Sequence, residues 1–122
     1  MTDQIYYFNA TAQDTSDNSN RTETRNITID TTPPIINVIT PANNNSFSGN
    51  TGLDANYTIS DLTSTSCWYS NDSMGVNTTL ASCGNITAVT WSEGQHSIII
   101  WANDSGGNKN SLFYFIFKLF KF

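Results

Sequence analysis

The side chains able to do chemistry in this chain are few, and most of them are amides. Cys67 and Cys83 are its only cysteines and His96 its only histidine. Two cysteines in a chain so rich in Asn, Ser and Thr suggest a disulfide, with two free thiols or half of a metal site as the alternatives. Zinc takes four ligands, which one histidine and two thiols do not supply. Closing the residues between Cys67 and Cys83 would stabilise the fold by about 3 kcal/mol in the loop-entropy description.

Nine asparagines stand two positions before Ser or Thr, the acceptor pattern for N-glycosylation: Asn9, Asn20, Asn26, Asn44, Asn56, Asn71, Asn77, Asn85 and Asn103. Chance placement of this composition would give roughly four. In the strand phases read below, Asn9, Asn26, Asn56 and Asn85 fall on outward positions and the others in turns, where a sugar is tolerated. The plainer reading is a solvated face built from Asn and Thr.

A third group is acidic. Asp104 with Asn108, and Asp14 with Asp17 and Asn18, cluster hard oxygen atoms. Calcium takes six to eight such ligands, and each cluster offers two or three side chains. Asp and Asn more often serve a turn by bonding their own backbone, with Gly taking positive φ. No metal or other cofactor is therefore expected, and calcium is the secondary reading. Nor is an enzyme expected: there is no G-x-S-x-G elbow, and nothing brings the carboxylates of Asp61 and Glu93 together. Trp68, Trp91 and Trp101 could form a sugar-binding platform, although strand packing is the commoner use of Trp in sheets.

The whole composition narrows the class. Of 122 residues, 47 are Asn, Ser or Thr, only 12% are charged, and net charge is −5. The five cations, Arg21, Arg25, Lys109, Lys118 and Lys121, form no basic patch, which argues against nucleic acid as a partner. Aromatic content of 12% and alternating apolar positions argue for a β-rich globular chain rather than disorder. The longest apolar run, Leu112 to Phe117, is too short for a membrane helix, so no membrane span is expected. The start, Met1-Thr2-Asp3-Gln4, does not read as a secretion signal. The extracellular character of the rest suggests a mature form, or a piece of a longer protein.

Alternation places strands over residues 4–12 and 21–30, forming a hairpin around a polar turn. Phe8, Ala10 and Ala12 share one face of it, and Ile27 and Ile29 face inward. Asp30-Thr31-Thr32-Pro33-Pro34 then breaks the pattern, since two prolines remove two donors and stiffen the backbone. Further strands are expected around Ile36 and Val38, over 53–60, 65–70, 76–80 (an edge), 85–91 and 96–102, and over 111–120. Seven short strands with turns between them have the spacing of an all-β sandwich. This divides the chain into a hairpin (1–30), a linker (31–34) and a domain (35–122). Two turn segments also match each other: residues 102–110 repeat the pattern of 12–20 ninety positions later, with Ala, Asp, Asn and Asn in register. Such a self-match implies serial units.

These segments resemble the Ig-like repeats of large bacterial and archaeal cell-surface proteins. Thr31-Thr32-Pro33-Pro34 looks like their inter-repeat linker, and Cys67-Trp68-Tyr69-Ser70 with Cys83 like a third-strand motif. Glu93-Gly94-Gln95-His96 with Ile98, Ile100 and Ala102 resembles their sixth strand. Ala102-Asn103-Asp104-Ser105-Gly106-Gly107-Asn108 resembles their A-x-D-x-x-G-N turn. The resemblance implies an all-β, Ig-like sandwich of about seven strands, preceded by a hairpin equivalent to the last two strands of another repeat. It also implies an extracellular or cell-surface structural or adhesive module. Its partners would be other copies of itself, adjacent Ig-like repeats, or surface glycans and proteins. Two alternatives accompany it. The final strand, with Phe113, Phe115, Phe117 and Leu119, is apolar on both faces, and an exposed strand of that kind can pair with another chain. The hairpin would then be a strand-donating segment, and the chain a self-assembling filament subunit. The other alternative is a carbohydrate-binding module.

Overall fold

The computed structural model describes residues 1–42, 45–47, 54–72, 76–87 and 89–119. The chain forms two compact units, Met1–Thr31 and Thr32–Phe122.

The first unit is a two-part hairpin. β1 (Gln4–Phe8) pairs with β4 (Arg25–Ile29), and β2 (Thr11–Gln13) pairs with β3 (Ser19–Arg21), all antiparallel. Between the two ladders, Asn9 and Ala10 on one arm oppose Thr22, Glu23 and Thr24 on the other. Ala10 still binds Thr22, donating its N–H to Oγ1 at 2.9 Å and accepting the Thr22 N–H at 2.9 Å. Asn9 therefore faces two residues, Glu23 and Thr24, which is a β-bulge. A one-residue offset exchanges the faces of a strand, so a single inward face does not run the length of the hairpin. Ile27, expected inward, is 53% exposed, and Phe8 and Tyr7 are also exposed.

The second unit holds the core. β5 (Ile35–Thr40) pairs with β7 (Asn56–Ser60) in one antiparallel sheet, which a bridge between Ala55 and Ile86 extends. The other sheet has the order β6-β11-β10-β8-β9. Its strands are β6 (Asn45–Phe47), β8 (Thr65–Asn71), β9 (Thr78–Leu80), β10 (Gly94–Asp104) and β11 (Lys109–Lys118). Neighbours are antiparallel except β6, which lies parallel to β11.

β10 alternates without a break. His96, Ile98, Ile100, Ala102 and Asp104 are buried, while Ser97, Ile99, Trp101 and Asn103 are half-buried on the opposite face. Register brings Tyr114 beside Ile98, Tyr69 beside Ile100 and Cys67 beside Ala102. Ile36, Ala55, Tyr57 and Ile86 join the same apolar cluster from the smaller sheet, with Trp91. Ile98, Ile100 and Ala102, on alternate positions of the expected strand over 96–102, are in it as well.

The structure departs from the expected elements in three places. β6 forms within a segment read as turn, because parallel pairing with a distant strand leaves no local pattern. The expected strand over 85–91 is present only as the bridge at Ile86 among the described residues. Pro34, expected in the linker, is fully buried in the second unit, and its carbonyl accepts a 2.9 Å bond from Asn110 Nδ2.

The core sets a stability contrast. Ile100 has no exposed surface, so Ile100→Ala is expected to cost about 2–5 kcal/mol in chemical denaturation of the second unit. The buried Tyr114 hydroxyl has no hydrogen-bond partner among the described residues. Tyr114→Phe removes that unsatisfied group and should leave the midpoint unchanged or raise it.

Candidate functional site: the repeated turn, the disulfide and the outer sheet face

Both copies of the repeated turn fold alike. In the first, Asp14 Oδ1 accepts the N–H groups of Ser16 (2.8 Å) and Asn18 (2.9 Å), and Oδ2 accepts Asn18 Nδ2 at 2.8 Å. In the second, Asp104 Oδ1 accepts Asn108 N–H at 2.8 Å and Oδ2 accepts Asn108 Nδ2 at 2.7 Å. Backbone bonds close each loop, Asp14 N–H to Asn18 O (2.9 Å) and Asp104 N–H to Asn108 O (3.0 Å). The left-handed position, which lets a three-residue hairpin loop close, falls on Asp17 (φ 65°) and on Gly107 (φ 93°). Asp17 adopts a conformation that Asp tolerates better than most residues. In each turn both carboxylate oxygens accept N–H groups of the turn itself, the use of Asp and Asn that stabilises a turn.

Those donors also set acidity. The Asn18 side-chain amide, then the N–H groups of Asn18 and Ser16, hold Asp14 below its ordinary 3.8. Burial alone would push Asp104 up; bonds from Asn108, Gly107 and Gly106 outweigh it and hold this carboxyl below 3.8 as well.

Cys67, buried on β8, is bonded to Cys83 with a Cα separation of 5.1 Å. Cys83 lies in a 3-10 turn, Ala81–Cys83, directly after β9. The bridge thus fastens a three-residue edge strand to its neighbour. Ser82 and Cys83 both take positive φ of 51°, a region that costs roughly 1–2 kcal/mol for residues with a Cβ.

His96 is buried, with Nδ1 3.0 Å from Asp72 Oδ2 and Nε2 2.7 Å from the Ser92 carbonyl. Both partners are acceptors, so both bonds form together when each ring nitrogen carries a proton. Asp72 also accepts Ser97 N–H at 3.1 Å and donates its own N–H to Ser97 O at 3.0 Å, carrying the β8–β10 ladder one step further. This link was missed by sequence reasoning, because Asp72 sits in what reads as an ordinary polar turn.

The face of the larger sheet away from the core carries several large apolar side chains among its serines and Asn103. Trp101 lies across from Trp68, and Ile99 across from Phe113. The indole planes are 16° from parallel with centroids 6.3 Å apart. Phe113 and Phe115 meet edge-to-face at 4.8 Å. Trp91 does not join the other two tryptophans; it is buried, 5.2 Å from the His96 ring. The strand phases carried a signal for this division, since Trp68 and Trp101 alternate out of step with Cys67, Tyr69, Ile100 and Ala102.

The expected assembly strand is not a free edge throughout. β10 pairs with β11 from Lys109 to Lys118, and β6 covers its other side from Ile116 to Lys118. Phe113 is 48% and Leu119 51% exposed, whereas Phe115 and Phe117 are half-buried. Among the glycosylation candidates, Asn9, Asn20, Asn26, Asn77 and Asn85 are exposed, Asn56, Asn71 and Asn103 are half-buried, and Asn44 lies outside the described residues. Asn56, expected to face outward, donates Nδ2 to Thr40 Oγ1 at 3.0 Å.

Comparison with protein-family models, with curated proteins and with solved structures found no match.

Removing the bridge with Cys67→Ala and Cys83→Ala together is expected to lower unfolding free energy by about 3 kcal/mol in denaturant titration. A second expectation concerns acid. The folded-state values of Asp14 and Asp104 lie below 3.8. Their contribution is therefore present above that pH and is lost as pH falls through the lower folded values. Stability measured downward from pH 5 should decline below about pH 4, and Asp104→Asn should flatten that decline.

Proposed function

We propose that the chain is an extracellular, non-enzymatic structural or adhesive module of a cell-surface protein or appendage, built from Ig-like units in series. The observation that carries this reading is the repeated turn: the same Asp–Asn hydrogen bonds close two hairpins at a ninety-residue spacing. In this reading the β5–β7 sheet with the Ile86 bridge is one layer of an Ig-like sandwich and the β6-β11-β10-β8-β9 sheet is the other. The first unit corresponds to the last two strands of a preceding repeat. The role is mechanical: stiff sandwiches in series hold distance from a surface, the disulfide resists opening of an edge, and sugars cover the polar faces.

The test is location. Immunogold labelling of intact native cells is expected to decorate their surface or an appendage, and label confined to the cytoplasm would overturn the reading.

The apolar outer face favours a second reading, a filament subunit, in which copies bury Phe113 and Ile99 against one another. Electron microscopy of concentrated protein separates the two, since fibres favour assembly and monomers the serial module. The Trp68–Trp101 pair favours a carbohydrate-binding module as a third reading. In that case glycan-array binding is lost in Trp68→Ala and Trp101→Ala.

A further inference from the structure

We propose that Asn103 is an N-glycosylation site whose first sugar lies on the Trp101–Trp68 indole surface of the same chain. The proposal rests on the extracellular reading above and assigns the occupant of one surface within it.

Asn103 and Ser105 supply the acceptor pattern, and Ser105 is exposed in the turn. Residues two apart in a strand share a face, about 7 Å apart. Trp101 and Asn103 therefore stand side by side on the outer face of β10, opposite the buried Ala102 and Asp104. A pyranose is of similar size, so a sugar on Asn103 reaches Trp101 without any change in the backbone.

Trp68 adds a second indole beside Trp101, with ring planes 16° from parallel and centroids 6.3 Å apart. The faces of aromatic rings carry negative charge density, which attracts the polarised C–H groups of a sugar. The cross-strand neighbours of Asn103 are Ser66 and Lys109, both exposed, and neither encloses the site.

Asn103 Oδ1 is buried with no hydrogen-bond partner among the described residues, whereas Nδ2 of Asn56 is held by Thr40 Oγ1 at 3.0 Å.

The first copy of the turn acts as an internal control. It forms the same Asp–Asn bonds with Thr11 and Gln13 at the positions of Trp101 and Asn103. The turn therefore requires neither the indole nor the acceptor amide, and their pairing in the second copy needs another explanation.

In the covalent step, Asn103 Nδ2 bonds to the anomeric carbon of a lipid-linked sugar phosphate or pyrophosphate supplied with the host's transferase. The carbon–oxygen bond to phosphate breaks, the lipid phosphate leaves with the electron pair, and the nitrogen gives one proton to the transferase's base.

The experiment expresses the full chain through a secretory pathway that installs N-linked glycans and measures occupancy of each site by glycopeptide mass spectrometry. Asn103 is expected to be occupied. Ring currents should move its sugar protons upfield in NMR spectra, and Trp101→Thr, the residue found in the first turn, should return them. Enzymatic removal of the glycan should lower the melting temperature of the natural sequence more than that of Trp101→Thr. An unoccupied Asn103 beside occupied Asn26 or Asn85 overturns the proposal and leaves the extracellular reading intact. Occupancy without the upfield shift also overturns it. A free oligosaccharide that binds Asn103→Gln through the same indoles would reassign the surface to a foreign glycan. Sugar-free protein that is secreted overturns the site alone, whereas protein confined to the cytoplasm of its native cells overturns both readings.

Discussion

Everything in the second unit depends on the unbroken alternation of β10. From Ile98 to Asn103 this strand is paired on both sides, so its backbone N–H and C=O groups there are satisfied within the sheet and its two faces are free to differ. One face, Ile98, Ile100 and Ala102, has no exposed surface at all and supplies the centre of the core. Burying an isoleucine side chain contributes about 1.5–3 kcal/mol, and a slip of one residue would exchange these side chains for Ile99, Trp101 and Asn103. The register of β8 and β11 follows from β10, and the positions of the disulfide, the closing turn and the indole pair follow from theirs.

The two hairpins show what such alternation does. They share a turn, hydrogen bond for hydrogen bond, yet only the second continues into an uninterrupted ladder. The first is offset by its bulge beside Asn9, and its apolar side chains Ile5, Tyr7, Phe8 and Ile27 are roughly half exposed or more. A turn specified by local Asp–Asn bonding thus forms whatever the flanking strands do, while a buried face requires that period two persist along the arms.

The same distinction explains what could be read from the chain beforehand. Local chemistry was legible: the cysteines, the Asp–Asn turns, positive φ at Gly107, and the inward phase of Ile98, Ile100 and Ala102. Features built from distant partners were not. β6 exists through its parallel pairing with β11, and the His96–Asp72 link joins two strands across the sheet. The bulge depends on the difference in length between two arms that each alternate plausibly alone. Pro34 reads as a spacer by type, yet it is buried in the second unit, with its carbonyl held by Asn110. At the candidate surface each tryptophan was visible as a residue, but the adjacency of Trp68 and Trp101 needed the β8–β10 register, and that register excludes Trp91.

The parallel contact between β6 and β11 also bears on the order in which the second unit assembles. β10 and β11 are joined by a short turn and can zip from it at little entropic cost. β6 must wait, because its partner residues, Ile116 to Lys118, lie near the far end of the chain from it. Contacts between segments so distant in sequence slow folding, since the intervening loop must be closed before pairing can reward it. During synthesis, which proceeds from the N-terminus, β6 emerges long before β11 exists. The strand at this edge of the sheet is made early and is seated only after the strand it lies against has been made.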